Sequence, residues 1–184
     1  MANKFQNATP NGPKKTGSDV WLTPPNVIEK IGPFDLDPCA WLPNDKPIVQ
    51  TAKKYFTEKE NGLEQKWEGM VFVNFPYSQS YQWLKKCKDE YLKGDCEIIV
   101  LCFVRSETKA WQENVPYATG INLINKRIKF LDKNGIEKGN GNAPSCLIAF
   151  GNDAFERIEK VDGIICSING KSLMASKNDI FNLI

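Results

Sequence analysis

The chain has 184 residues, 24 Lys+Arg against 22 Asp+Glu for a formal charge of +2, and 41% hydrophobic residues. That composition excludes a disordered chain, which would be poorer in apolar residues and higher in net charge, and fits one globular unit able to bury roughly 70% of its unfolded surface. The histidine count is zero, which removes Ser-His-Asp and Cys-His nucleophiles, His-bearing zinc sites and imidazole acid–base catalysis from consideration.

No apolar run approaches the roughly 20 residues a bilayer span needs, and no signal-peptide core opens the chain, so an intracellular protein with no membrane role is expected. The six cysteines form no Cys-x-x-Cys pair and sit mostly in apolar runs such as Leu101-Cys102-Phe103. They read as reduced, buried thiols rather than a disulfide framework. No metal site is expected.

In chain order, residues 1–19 are polar and rich in Asn, Lys, Gly and Pro and read as a flexible arm, leaving 20–184 as a single domain. Thr23-Pro24-Pro25 opens a helix over 26–31, with Thr23 as its cap. A short strand is predicted at 34–37, ended by Pro38. An all-apolar strand follows at 70–73, as for a parallel strand covered on both faces. Ser80 is placed as the cap of a helix to Lys93, with Tyr81, Leu84, Cys87 and Tyr91 on one stripe. The strongest strand signal is 97–104, followed by a helix over 106–114. Strands at 121–131 and 144–150, joined through Gly135, Gly139 and Gly141, suggest a long hairpin. One more apolar run, 163–168, precedes a short C-terminal helix. Strands alternating with helices and then a closing hairpin predict an α/β fold with a mostly parallel sheet and an antiparallel hairpin at its edge.

Open α/β sheets bind ligands at the carboxyl ends of their strands. Two motifs fall there: Asp35-x-Asp37-Pro38-Cys39-Ala40 after the first strand and Asn74-Phe75-Pro76-Tyr77 after the second. Alone, the second is a loose pattern that fits a Pro-bearing strand-to-helix turn equally well. The densest basic stretch is Lys126-Arg127, Lys129, Lys133 and Lys138, readable either as a DNA-contacting loop or as a solvated hairpin.

Taken in order, Trp21-Leu22-Thr23-Pro24, Asp-Pro-Cys-Ala at 37–40, Asn61-Gly62-Leu63 before Trp67, Val-Phe-Val-Asn-x-Pro-Tyr-Ser at 71–78, Arg105-x-x-Thr108 and Ala143-Pro144-Ser145 resemble the phage-type DNA N-6-adenine methyltransferases. The resemblance implies a Rossmann-like methyltransferase fold, S-adenosylmethionine as cofactor, double-stranded DNA as partner, and a place in the cytoplasm of a bacterial or phage-infected cell. It assigns Thr23, Asp37, Pro38, Cys39 and Ala40 to the methionine end of the cofactor, a carboxylate being suited to its ammonium group, and Asn61 to the cofactor adenine. Asn74 and the carbonyl beside Pro76 would accept from the amine of the target adenine, and Tyr77 would stack on that base after it flips out of the duplex. Phe75, Ser78, Arg105, Lys126, Arg127 and Lys129 are the further substrate-binding candidates. Direct methyl transfer needs no histidine. Phe75 stands where the family usually has proline, and Trp41-Leu42-Pro43 replaces the usual Gly-x-Gly, with Trp41 as a candidate pocket wall. Two other readings fit a similar loop: a glutamine-amide or RNA methyltransferase, and a nucleic-acid-binding module of weak or no turnover.

Overall fold

The structure is a computed structural model describing residues 20–138 and 143–168. The expected arm, Gly139, Gly141 and the C-terminal helix lie outside the described residues. In chain order the elements are α1 (Pro25–Ile31), β1 (Leu36–Asp37), β2 (Lys54–Tyr55), β3 (Gly69–Val73), α2 (Ser80–Lys93), β4 (Cys96–Phe103), α3 (Lys109–Asn114), β5 (Gly120–Ile124), β6 (Ser145–Phe150), α4 (Asn152–Ile158) and β7 (Gly163–Ser167).

The seven strands form one sheet in the order β2-β1-β3-β4-β6-β5-β7. β1 runs parallel to β2 and β3, and β3 to β4, whereas β6 is antiparallel to β4 and β5, and β7 antiparallel to β5. The sheet is therefore mixed rather than mostly parallel. β5 and β6 do pair antiparallel, but β7 adds to the outer side of β5, so the pair stands inside the sheet and not at its edge. The strand expected over 121–131 stops at Ile124. Beyond it the chain leaves the ladder, and Leu131 forms isolated bridges to Leu22 and Glu137.

The continuous apolar runs of the central strands have a simple cause, for both faces of the sheet are covered. Side chains alternate between two cores. Val71, Val73, Ile98, Val100, Ile148 and Phe150 pack with Leu84 and Cys87 of α2, Trp111 of α3, Trp67 and Trp83. Met70, Phe72, Ile99, Leu101 and Leu147 pack with Ile28 and Ile31 of α1, Ile158 of α4, and Ile128 and Phe130. Cys87, Cys96, Cys102 and Cys146 are buried free thiols, Cys39 is half-buried and Cys166 exposed.

Two expected caps are not formed. Pro24 occupies the N-cap of α1 and Gln79 that of α2, neither with a side-chain bond, because Thr23 and Ser80 each lie one residue away from the capping position. The helix expected from 106 starts at Lys109, where the Thr108 hydroxyl accepts from the Trp111 N–H. Gly94 ends α2 in the left-handed region at φ 86°, a conformation that suits glycine.

Candidate active site

The chain passes from β1 to β2 on one side and then returns past β1 to β3 on the other, so the strand order reverses at β1. Such a switch point opens a crevice at the carboxyl ends of the strands. A cleft of about 660 Å³ lies there, within the usual range for a small-molecule site. Thr23, Asp37, Pro38, Cys39, Ala40, Asn61, Asn74, Phe75, Pro76 and Ser78 all line it, together with Trp41. Among the described residues, no helix is long and apolar enough to cross a membrane, and no group of three or more His, Cys, Asp or Glu could hold a metal ion.

Asp37 ends β1 and is 6% exposed. One carboxylate oxygen accepts from the Cys39 N–H at 3.1 Å and the other from the Thr51 hydroxyl at 2.6 Å. Burial pushes its pKa up to about 6, against the opposing effect of these two bonds. Both donors are neutral, so the charge is hydrogen-bonded but not neutralised. Thr51 carried no signal in the sequence, since it lies in an irregular segment whose ends meet Asp37 only after folding. Burial likewise raises the Cys39 thiol well above its ordinary value, which keeps it protonated and poorly reactive.

The turn carrying Asn61 is pressed against the Asp-Pro-Cys-Ala loop. Asn61 holds φ at 52°, a left-handed conformation that asparagine tolerates better than most residues. A Cβ at Gly62 would stand 1.9 Å from the Pro38 carbonyl oxygen, so only glycine allows this approach. The Trp67 indole, fully buried, donates to the Gly62 carbonyl at 2.8 Å and stacks on Trp83 with centroids 6.2 Å apart. The Trp67 N–H donates to Glu90 at 3.2 Å, and Glu90 also accepts from Lys86 at 2.7 Å and Lys93 at 2.6 Å. The turn is thus tied through Trp67 to α2.

Asn74 directly follows β3. Its Nδ2 donates to the Trp21 carbonyl at 2.7 Å and to Thr23 Oγ1 at 3.0 Å. Thr23, 2% exposed, therefore contacts Asn74 where the sequence suggested a helix cap. Phe75 is buried in the core beside the cleft, and its bulk is absorbed by packing. The Pro76 carbonyl accepts from the Gln79 N–H at 2.9 Å in a 3₁₀ turn, Tyr77–Gln79. Tyr77 does not line the cleft. Its ring lies flat on Phe103, with centroids 4.3 Å apart and planes 5° from parallel, and meets Phe75 edge-on at 6.2 Å.

Arg105, Lys126, Arg127 and Lys129 are exposed and lie off the cleft. The Arg105 carbonyl accepts from the Thr108 N–H and hydroxyl, so Arg105-x-x-Thr108 acts locally as a helix-start turn. The basic segment borders the cleft from another side. Leu131 exchanges two backbone hydrogen bonds with Leu22, and the Lys133 carbonyl accepts from the Trp41 indole at 3.3 Å. Lys129 pairs with Glu137 at 2.9 Å and Lys138 with Asp132 at 3.1 Å, which offsets part of its charge.

The glycine-pressed turn, the buried Asp37 carboxylate and the oriented Asn74 amide thus share one crevice at the strand ends. The sequence profile of the DNA N-6-adenine-methyltransferase (Dam) family matches residues 11–178, and the chain belongs to that family. No curated protein matches it.

Proposed function

We propose that this protein moves the methyl group of S-adenosylmethionine to the exocyclic amine of an adenine flipped out of double-stranded DNA, within one Rossmann-like methyltransferase domain spanning 20–184. The crevice at the switch point beside β1, and one sheet shared by both cores, support the fold reading. A cytoplasmic site of action follows from the DNA substrate.

The residues present fit the cofactor. Asp37 is a buried carboxylate whose hydrogen-bond donors are neutral, which suits an incoming ammonium group. Thr23, Pro38, Cys39 and Ala40 line the same cleft. Asn61, uncharged, would accept from an adenine amine through its amide oxygen. When bound, the cofactor supplies a methyl group on a sulfonium, ready for attack.

The single observation that carries the reading is the pinned amide of Asn74, since both of its N–H groups are taken by Trp21 and Thr23. Its oxygen is the end left to accept from a substrate N–H. The adenine amine is a weak nucleophile because its lone pair is delocalised into the ring. Two acceptors draw it toward tetrahedral geometry and stabilise the positive charge that develops on nitrogen, an effect of about 3 kcal/mol when preorganised. The second acceptor is the carbonyl preceding Pro76, that of Phe75, because the Pro76 carbonyl is engaged by Gln79. Phe103 backs one side of the Tyr77 ring, so the base would be taken by the other. Ser78, Arg105, Lys126, Arg127 and Lys129 would contact the DNA around it.

The test is mass spectrometry of nucleosides from unmethylated DNA incubated with the protein and S-adenosylmethionine. A cofactor-dependent rise in N-6-methyladenine, lost in Asn74→Ala with cofactor binding retained, is the expected result. Cofactor binding with no methylated adenine would overturn the acceptor assignment and point to RNA or a protein amide.

A further inference from the structure

We propose that Thr23 is a positioning residue for methyl transfer that acts through Asn74, in addition to any contact it makes with the cofactor. The inference rests on the reading of Asn74 as acceptor for the target amine. A primary amide can sit in two orientations that exchange its oxygen and nitrogen, and only one of them turns the oxygen to the substrate. The neighbours decide which is lower in energy.

The Trp21 carbonyl can only accept, so it must face the amide nitrogen. Thr23 Oγ1 takes the second N–H at 3.0 Å; a hydroxyl can also donate, so the Trp21 carbonyl sets which end of the amide faces the substrate and Thr23 fixes the plane and position in which that end is held. Burial of Thr23 keeps water from competing for that position. The flipped orientation would turn the Asn74 oxygen toward the Trp21 carbonyl and lose the 2.7 Å bond.

These two acceptors are held rigidly. Between them, Leu22 is fixed by reciprocal backbone bonds to Leu131, at 2.8 and 2.9 Å. After them, Pro24 and Pro25 lock the backbone into the start of α1. The segment 21–23 is thus clamped on one side by the segment bearing Lys129 and holds the Asn74 amide on the other. A strut of this kind orients the amide before substrate arrives, which is where preorganisation contributes to rate.

The test compares Thr23→Val, which keeps shape and removes the acceptor, with Thr23→Ser, which keeps the hydroxyl. Single-turnover methyl transfer is measured with DNA and cofactor both saturating, so that a weaker cofactor contact does not enter. In parallel, the side-chain amide of Asn74 is observed by 15N NMR in the protein without cofactor, its signals identified by their loss in Asn74→Ala. The expected result is a rate about tenfold lower in Thr23→Val, one hydrogen bond's worth, within about threefold of the parent in Thr23→Ser. The Asn74 amide protons should exchange slowly in the parent and in Thr23→Ser, and one of them quickly in Thr23→Val. A full rate in Thr23→Val, or a lowered rate with the Asn74 amide unchanged, overturns the proposal. So does a Thr23→Ser variant as slow as Thr23→Val, which would mean packing. If Thr23→Val does not fold, Thr23→Ala against Thr23→Ser gives the same contrast. Full activity in Asn74→Ala would sink the reading beneath it instead, and would leave the NMR result standing, so the two failures are distinct.

Discussion

Gly62 and Pro38 approach so closely that a β-carbon on Gly62 would overlap the Pro38 carbonyl oxygen, at 1.9 Å. Two motifs 24 positions apart in sequence, Asp37-Pro38 and Asn61-Gly62, are thereby fused into one wall of the cleft. The obstructing atom is backbone, with no flexible side chain to swing aside.

Gly62→Ala therefore has to push the Asn61 turn away from the Asp-Pro-Cys-Ala loop. Cofactor affinity should fall at least about tenfold, and the protein should lose about 2 kcal/mol, in the range of overpacked sites. Isothermal titration of S-adenosylmethionine, alongside thermal unfolding, reads both. Retention of full affinity would mean that the two loops do not share a ligand.

Asp37 trades stability for charge. Its pKa is raised to about 6 in the folded protein, first by burial, from an ordinary 3.8. Between those values the folded state holds a proton that the unfolded state has lost. Stability therefore falls as pH rises from about 4 to 6, and the buried charge costs about 3 kcal/mol at neutral pH. Asp37→Asn still presents an oxygen to the Cys39 N–H, and the Thr51 hydroxyl can rotate to accept from its amide. At pH 7.5 the variant should melt several degrees above the parent, with the gap closing toward pH 4. Cofactor affinity should drop more than tenfold. Melting curves across pH and one titration decide it, and a variant that melts lower at pH 7.5 would show the carboxylate to be stabilising.

Much of this site was legible because local signals and tertiary needs coincide. The all-apolar runs at 70–73 and 97–104 are strands covered on both faces, and the residues just after β1 and β3 line the crevice as strand ends in an open sheet should. β2 was not legible, being two residues that pair only because β1 offers an edge. Neither was the end of β5, since the apolar alternation past Ile124 continues through Ile128 and Phe130, which are buried in the same core as residues of α1 and α4 without joining the ladder. Thr51 and the carbonyl of Trp21 act through folding alone, one supplying a hydroxyl from a loop and the other a backbone atom that no side-chain pattern reports.

Glu90 reaches the cleft only through Trp67, whose indole holds the Gly62 carbonyl. It is buried between Lys86 and Lys93 and accepts the Trp67 N–H. Burial raises its pKa, but these three hydrogen bonds outweigh that effect and keep it below the ordinary 4.5. Glu90→Ala leaves a partly buried ammonium and a buried N–H without their partner, a loss of about 3 kcal/mol. Glu90→Gln keeps an acceptor for Trp67 and should lose about half as much. A group with a lowered folded pKa stabilises above its unfolded value, and that contribution disappears as pH falls through the folded one. The difference between parent and Glu90→Gln should accordingly narrow below pH 4.5. Urea unfolding at neutral and acid pH measures it, and a pH-independent difference would mean that the ionic part contributes nothing.

Lys126 tests whether the basic segment meets DNA. It is exposed and, among the described residues, forms no ion pair, whereas Lys129 and Lys138 are partnered by Glu137 and Asp132. A lysine on a phosphate releases about one counterion when DNA binds, so its removal lowers the salt slope by about one and weakens binding uniformly across sequences. Lys126→Ala should do both, read by fluorescence anisotropy of a labelled duplex over a series of salt concentrations. The same substitution should leave cofactor affinity unchanged, because Lys126 lies off the cleft. An unaltered salt slope would assign the segment to solvent, with the Leu22–Leu131 bridge then serving only to hold the residues that face Asn74.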